Sequence, residues 1–201
     1  KYYQKARTYR RTSDGKLAYC LQPFKVFNPS NNTYETVDSL PDISSETLER
    51  IRDIIGLGYG YGAHGYDMKW YAVTQLMIWQ AVEPDCEFYF TDTLNGNRIN
   101  DYDDEIAKIN DLITNSYIVP SFHNKTFYGI VNKPITIEDT NNVLYAFVIR
   151  PNDITIDGNK LHIVKDTPGC YNVELSRNYK QGEPVLFYYN PNSQHLATMG
   201  S

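Results

Sequence analysis

No stretch of the chain approaches the roughly 18 consecutive apolar residues that cross a bilayer, and Lys1 is not followed by a charged-then-apolar leader. Membrane insertion is therefore not expected, and the residues read as a soluble segment trimmed from a longer protein. The closing Ala197 to Ser201 reads as the natural end of a domain running into cloning-derived residues. Charge of one sign is also scarce. The formal net charge is -5, spread without long runs, so there is no basic stripe to follow a phosphate backbone and nucleic acid is not an expected partner. Histidine is sparse: His64, His123, His162 and His195 have no ligand spacing with each other or with the cysteines, so no metal is expected. Nor is a cofactor. The glycine-rich run Gly56 to Gly65 follows a helical pattern instead of a strand and lacks the acidic residue of a dinucleotide loop. Asn100 to Glu105 lacks the glycine-bearing loop of a calcium site and reads as a charged helix start.

Cysteine is limited to Cys20, Cys86 and Cys170, an odd number, so at least one thiol stands outside any intramolecular disulfide. Cys86 and Cys170 could pair outside the cell and leave Cys20 over, or all three could be buried free thiols. Tyrosine is in excess, 18 against 8 Phe and 2 Trp, which suits extended strands, aromatic packing and an exposed binding surface.

The hydrophobic period changes twice along the chain. Residues 1–38 alternate polar and apolar groups, as in Lys16 to Leu21, and read as strands and turns. From Pro41 to Glu46 the residues offer helix-start chemistry, and Leu48, Ile51, Ile54 and Ile55 then recur at helical spacing up to Gly56. Tyr66 to Val82 reads as a buried helix ended by Pro84, and about Asp101 to Ser116 as a third helix with acidic residues at its start. After Pro120 come short β-rich runs: Thr126 to Val131, Ile135 to Glu138, Val143 to Ile149, Ile154 to Ile156, Leu161 to Val164, Tyr171 to Leu175 and Val185 to Tyr189. The expected class is α+β, a β-sandwich or barrel with an inserted helical subdomain. The single domain 1–201 then comprises a β-sandwich part from 1–39 and 119–201 and a mainly helical insert at 40–118.

Two stretches carry candidate chemistry: Tyr19-Cys20-Leu21-Gln22 on a strand, and Thr74-Gln75-Leu76-Met77-Ile78-Trp79 inside the second helix. Together they resemble the paired motifs of the thioester domains of Gram-positive surface adhesins. In that family an aromatic residue or Leu precedes the cysteine, and an apolar then a polar residue follow it; all four positions match. The second motif is Thr-Gln, any residue, Ala, an apolar residue and Trp. Thr74, Gln75, Ile78 and Trp79 match, while Met77 stands where Ala is usual. The order of strand, helical insert with a Gly- and Tyr-rich lead-in, and a β-rich part ending near Ser193-Gln194 is similar to the family layout over nearly the whole chain.

The resemblance implies an internal Cys20–Gln75 thioester at the interface of the β and helical parts, consumed in a single turnover by acylating a lysine amine and so not an enzyme's cycle. It further implies a secreted, cell-wall-anchored multidomain adhesin in which this domain is a monomer, with a host surface, matrix or plasma protein as partner. The residues themselves fit such chemistry. A glutamine flanked by Val73, Leu76, Ile78 and Trp79 has a confined side chain. Tyr71 and Trp79, four residues before and after it, share its helix face and are candidate walls of a substrate pocket. His64, in the loop before that helix, is the candidate base, and Tyr19, Tyr59 and Tyr61 are candidate pocket or hydrogen-bonding residues. A noncovalent protein- or carbohydrate-binding β-sandwich module is the alternative. A cysteine hydrolase or transglutaminase ranks last, because it gives Gln75 no role.

Overall fold

The computed structural model describes residues 8–11, 14–28, 30, 33–149, 153–177 and 184–200. Its class is α+β, with three α-helices and only antiparallel strand pairings among the described residues. The chain divides into two compact units, residues 1–111 with 182–201, and residues 112–181. This grouping differs from the sequence-based one. The helices α1 (Ser45–Leu57) and α2 (Met68–Val82) share a unit with the amino-terminal strands, and most of the later strands form sheets of their own.

In the first unit a five-stranded sheet has the order β1-β2-β10-β9-β3, from β1 (Tyr9–Arg10), β2 (Leu17–Cys20), β3 (Glu35–Val37), β9 (Val185–Tyr189) and β10 (Leu196–Met199). The sequence reading assigned no strand to β10 and took Ala197 onward as a terminus. In the fold β10 is the middle strand, with Ala197 and Thr198 fully buried. Its pattern is too short and too interrupted by His195, Thr198 and Gly200 to show strand periodicity. Instead, pairing on both sides satisfies its backbone, and Thr198 Oγ1 donates to Leu17 O at 2.7 Å.

Helix α1 starts where the Ser44 hydroxyl accepts the Thr47 N–H at 3.1 Å, an N-cap. Leu48, Ile51, Ile54 and Ile55 form its buried stripe, facing α2 and the β9–β10 part of the sheet. Helix α2 begins one cap later, with Asp67 accepting the Lys69 N–H at 2.9 Å, and packs on α1 and β2. Helix α3 (Asp103–Ser116) opens on Asp103, Asp104 and Glu105, as acidic residues at a helix start should. Its first turns are tied down by Lys69–Glu105 at 2.9 Å and by Arg50 donating to Asn110 Oδ1 at 2.6 Å.

The second unit holds a three-stranded sheet, β4-β7-β6, from β4 (Ile135–Glu138), β6 (Ile154–Asp157) and β7 (Lys160–Ile163). A separate pair joins β5 (Phe147–Ile149) and β8 (Leu175–Arg177). Its core is Ile137, Leu144, Ile154, Leu161 and Ile163. Buried Asp139 caps the turn after β4 by accepting the N–H groups of Ser121, Asn141 and Val143, which hold its carboxyl below the usual range against the cost of burial. The run Thr126 to Val131, expected as a strand, is irregular here, and Tyr128 is almost fully exposed. Alternation alone did not reveal that this segment has no partner strand.

One glycine of the run after α1 is required sterically. A Cβ on Gly58 would overlap Thr74 Oγ1 and lie 2.7 Å from the Ile54 carbonyl oxygen, so α1 and α2 could not approach. Gly58→Ala is accordingly expected to destabilise the fold by about 1–3 kcal/mol, the usual cost of overpacking, measured by urea denaturation. An unchanged midpoint would show that Thr74 and α1 yield without cost.

Candidate functional site

Cys20 ends β2, a strand whose four residues are all buried. β2 pairs with β10 on one side, Cys20 facing Leu196, while among the described residues β1 pairs with Leu17 and Ala18 on the other. The Cys20 main chain finds its partner in a side chain instead. Its N–H donates to Gln75 Oε1 at 2.8 Å, and its carbonyl accepts from Gln75 Nε2 at 2.9 Å. A glutamine amide is chemically a peptide group, and here it forms the next rung of the ladder. Gln75 is 4% exposed and Cys20 1%, so both hydrogen bonds lie out of water.

The turns of α2 around Gln75 are fixed from several directions. Thr74 Oγ1 donates to Trp70 O at 2.7 Å and accepts the Tyr59 N–H at 3.1 Å, locking the glycine-rich loop to the helix. One turn earlier, Tyr71 donates its hydroxyl to Ala18 O at 2.7 Å and stacks on Tyr19, ring centroids 4.9 Å apart. The strand bearing the cysteine and the helix bearing the glutamine are thus clamped beside the hydrogen-bonded pair. Met77, where the family has Ala, is buried two residues beyond Gln75 and so points to another face of the helix.

The Cys20 sulfur accepts a weak hydrogen bond from the Gln22 N–H at 3.4 Å. Burial pushes the thiol up from its ordinary 9.0 to about 11, against the Gln22 N–H and the Trp79 indole, which both favour the thiolate. Tyr34 is also near. Burial raises its phenol, the neighbouring Cys20 raises it further, and its bond to Ser193 lowers it. The turn after Cys20 is cradled by the segment before β10. His195 N donates to Gln22 Oε1 at 2.9 Å, Gln194 Nε2 to Gln22 O at 3.3 Å, and Ser193 Oγ accepts the Asn28 N–H at 3.0 Å.

The family model for the thioester domain matches residues 17–118, which include both Cys20 and Gln75. The chain belongs to the thioester domain family. A search of curated proteins finds no match. Among solved structures, the thioester domain of the Staphylococcus aureus TIE protein is similar at a TM-score of 0.70 and 23% identity, over 92% of this chain and 76% of that one. At that identity the likeness speaks for the fold. As a thioester domain, the chain is of the covalent adhesin type, and its two motif residues, 55 positions apart, lie in direct contact.

The other residues singled out from sequence fall into three settings. Tyr19 and Tyr71 are core residues, 3% and 2% exposed, and burial raises the Tyr19 phenol well above its ordinary value. Tyr59 meets Tyr71 edge-on at 6.0 Å, and Tyr61 meets His64 edge-on at 6.0 Å. His64 is buried, stacks on Trp70 at 3.6 Å, and bonds through Nδ1 to the Gly58 carbonyl at 2.9 Å. A carbonyl only accepts, so Nδ1 carries the proton and Nε2 is the atom with basic capacity. Trp79 is half-buried and packs on Phe88 at 6.0 Å, which in turn stacks on half-exposed Phe24. Sequence reasoning named Gln22 and Ser193 only within the motif and layout, gave neither a role, and did not single out Tyr34. The polar residue two beyond the cysteine was the available signal: Gln22 ties the cysteine's turn to His195.

All three cysteines are free thiols in this structure. For Cys20 the raised pKa has a pH consequence. A Gln75→Ala variant, which retains Cys20 as a thiol, is expected to react with iodoacetamide about a hundredfold more slowly at neutral pH than an ordinary thiol, because thiolate is that much scarcer. The folded state holds the thiol proton more firmly than the unfolded chain, so the stability advantage present below pH 9 should be lost as pH rises through about 11. Chemical denaturation across that range, against a Cys20→Ser, Gln75→Ala control lacking the group, reads the difference; parallel curves would refute it. Tyr71→Phe removes a buried hydroxyl hydrogen bond to the Ala18 carbonyl, so it should cost about 0.5–1.5 kcal/mol by thermal or urea melting.

Proposed function

We propose that Cys20 and Gln75 close an internal thioester, and that this acyl group is transferred once to a lysine amine on another molecule. The observation that carries the reading is the reciprocal pairing of the Gln75 amide with the Cys20 main chain at 2.8 and 2.9 Å, in a buried setting. In forming the bond, the Cys20 sulfur attacks the Gln75 side-chain carbon. The Cys20 N–H, already on Oε1, holds the oxyanion of the tetrahedral intermediate. The carbon–nitrogen bond then breaks, the thiol proton goes to Nε2, and ammonia leaves. Burial and fixed approach supply what two such weakly reactive groups lack in water.

In transfer, the amine nitrogen attacks the same carbon, the carbon–sulfur bond breaks, and an amide joins Gln75 to the partner while Cys20 returns as a thiol. The proton lost by the amine ends on the sulfur, whose high affinity for it makes the exchange favourable once the amide has formed. His64, through Nε2, is the candidate to relay that proton. The event consumes the domain and has no catalytic cycle. A covalent product is free of the dissociation rate that limits ordinary contacts, which suits anchorage under load. The family supports a place on a bacterial surface within a larger adhesin, with a host surface, matrix or plasma protein as the lysine donor. Before reaction, the cross-link also ties β2 to α2 and should add about 2–4 kcal/mol if it behaves as a disulfide of similar loop length.

Intact-mass spectrometry tests the reading. The wild-type protein should be lighter than its sequence by one ammonia and should gain one methylamine on incubation, whereas Cys20→Ala and Gln75→Ala should do neither and should melt at lower temperature. Full sequence mass in fresh wild-type protein, or methylamine adducts on either variant, would sink the assignment and favour a noncovalent binding module.

A further inference from the structure

The Trp79 indole N–H is buried and makes no hydrogen bond of ordinary geometry among the described residues. Buried donors are almost always paired, and leaving one unpaired costs stability, so an orphan beside a reactive pair calls for a reason. Trp79 lies one helical turn beyond Gln75, on the same face of α2. The ring is fixed there. Gln80 donates to Cys86 O at 2.7 Å and accepts the Phe88 N–H at 3.3 Å, which holds Phe88 against the indole. Gln75, on that face, is hydrogen-bonded to the Cys20 main chain, and the indole favours the thiolate form of Cys20. A neutral thiol or thioester sulfur is a poor acceptor, and a thiolate is a strong one.

We propose that the Trp79 Nε1–H is the donor that receives the negative charge of the Cys20 sulfur as the carbon–sulfur bond breaks, making Trp79 a catalytic residue of the acyl transfer. The inference rests on the thioester reading above. In the step, the electron pair of the carbon–sulfur bond passes to sulfur, where the Trp79 indole N–H and the Gln22 N–H meet it before the amine's proton arrives. The oxyanion on the Gln75 oxygen is held separately by the Cys20 N–H, so two developing charges have different donors. The burial that protects the thioester also makes Cys20 a costly leaving group, and a donor unsatisfied in the ground state acts only where charge appears. By microscopic reversibility the same donor assists the sulfur's attack when the thioester forms.

Trp79→Phe keeps an aromatic ring and removes the donor. Its thioester, detected as the ammonia deficit in intact mass, should react with methylamine at least about tenfold more slowly than wild type, as expected for loss of a hydrogen bond to a charged group. In the Gln75→Ala background, Trp79→Phe should also move the Cys20 titration, followed as the pH dependence of iodoacetamide alkylation, to higher pH, which a packing role alone would not do. If Trp79→Phe fails to fold or to form the thioester, β-(3-benzothienyl)alanine placed at position 79 keeps the indole outline without the N–H and should show the same two effects. Equal methylamine rates and an unmoved titration would overturn the role of Trp79 while leaving the thioester in place. Wild-type protein with no ammonia deficit and no methylamine adduct would overturn both.

Discussion

The organisation of the first unit turns on one substitution of partners: a side-chain amide stands where a neighbouring strand would. The Cys20 backbone, at the end of β2, is satisfied by Gln75 and not by β1. Because a buried main-chain pair left open costs free energy, the fold itself holds the glutamine in position. The same two hydrogen bonds orient the carbonyl, with its oxygen on a donor and its nitrogen on an acceptor. Structural satisfaction and reactive alignment are therefore one requirement, and neither can be altered without the other.

Around that pair, each supporting contact fixes the distance between a strand and a helix. Tyr71 reaches Ala18, Thr74 reaches the loop at Tyr59, and the absence of a side chain at Gly58 lets α1 and α2 close together. Gln22 and the Ser193 to His195 segment fix the chain leaving Cys20. Four of the 18 tyrosines, Tyr19, Tyr59, Tyr66 and Tyr71, form a stacked and edge-on cluster on these elements. Aromatic packing of this kind is stiff, which suits two groups that must meet within bonding reach.

The contact between Cys20 and Gln75 was legible in the sequence through the resemblance of their two motifs to those of a known family, and the settings fit it, a cysteine on a strand and a glutamine inside an apolar helix. The three helices were legible for ordinary reasons, Ser44 as a cap and Leu48, Ile51, Ile54 and Ile55 as a stripe among them. The grouping of strands was not, because alternation states that a segment is extended but not which strand it joins. Residues 126–131 alternate without forming a strand, while β10 forms the centre of a sheet with little alternation. The roles of Gln22, Tyr34 and Ser193 were not legible, since they lie in contacts between segments more than 150 residues apart.

The placement of β10 between β2 and β9 has a consequence for the order of assembly. Residues 17–20 come early from the ribosome and residues 196–199 late, so the earlier strand has only β1 as a sheet neighbour until the later one arrives. A nascent chain containing both the cysteine and the glutamine therefore lacks the scaffold that joins them. The emergence of residues 196–199 acts as a timer, so the contact between Cys20 and Gln75 gains its full support only once β10 is in place.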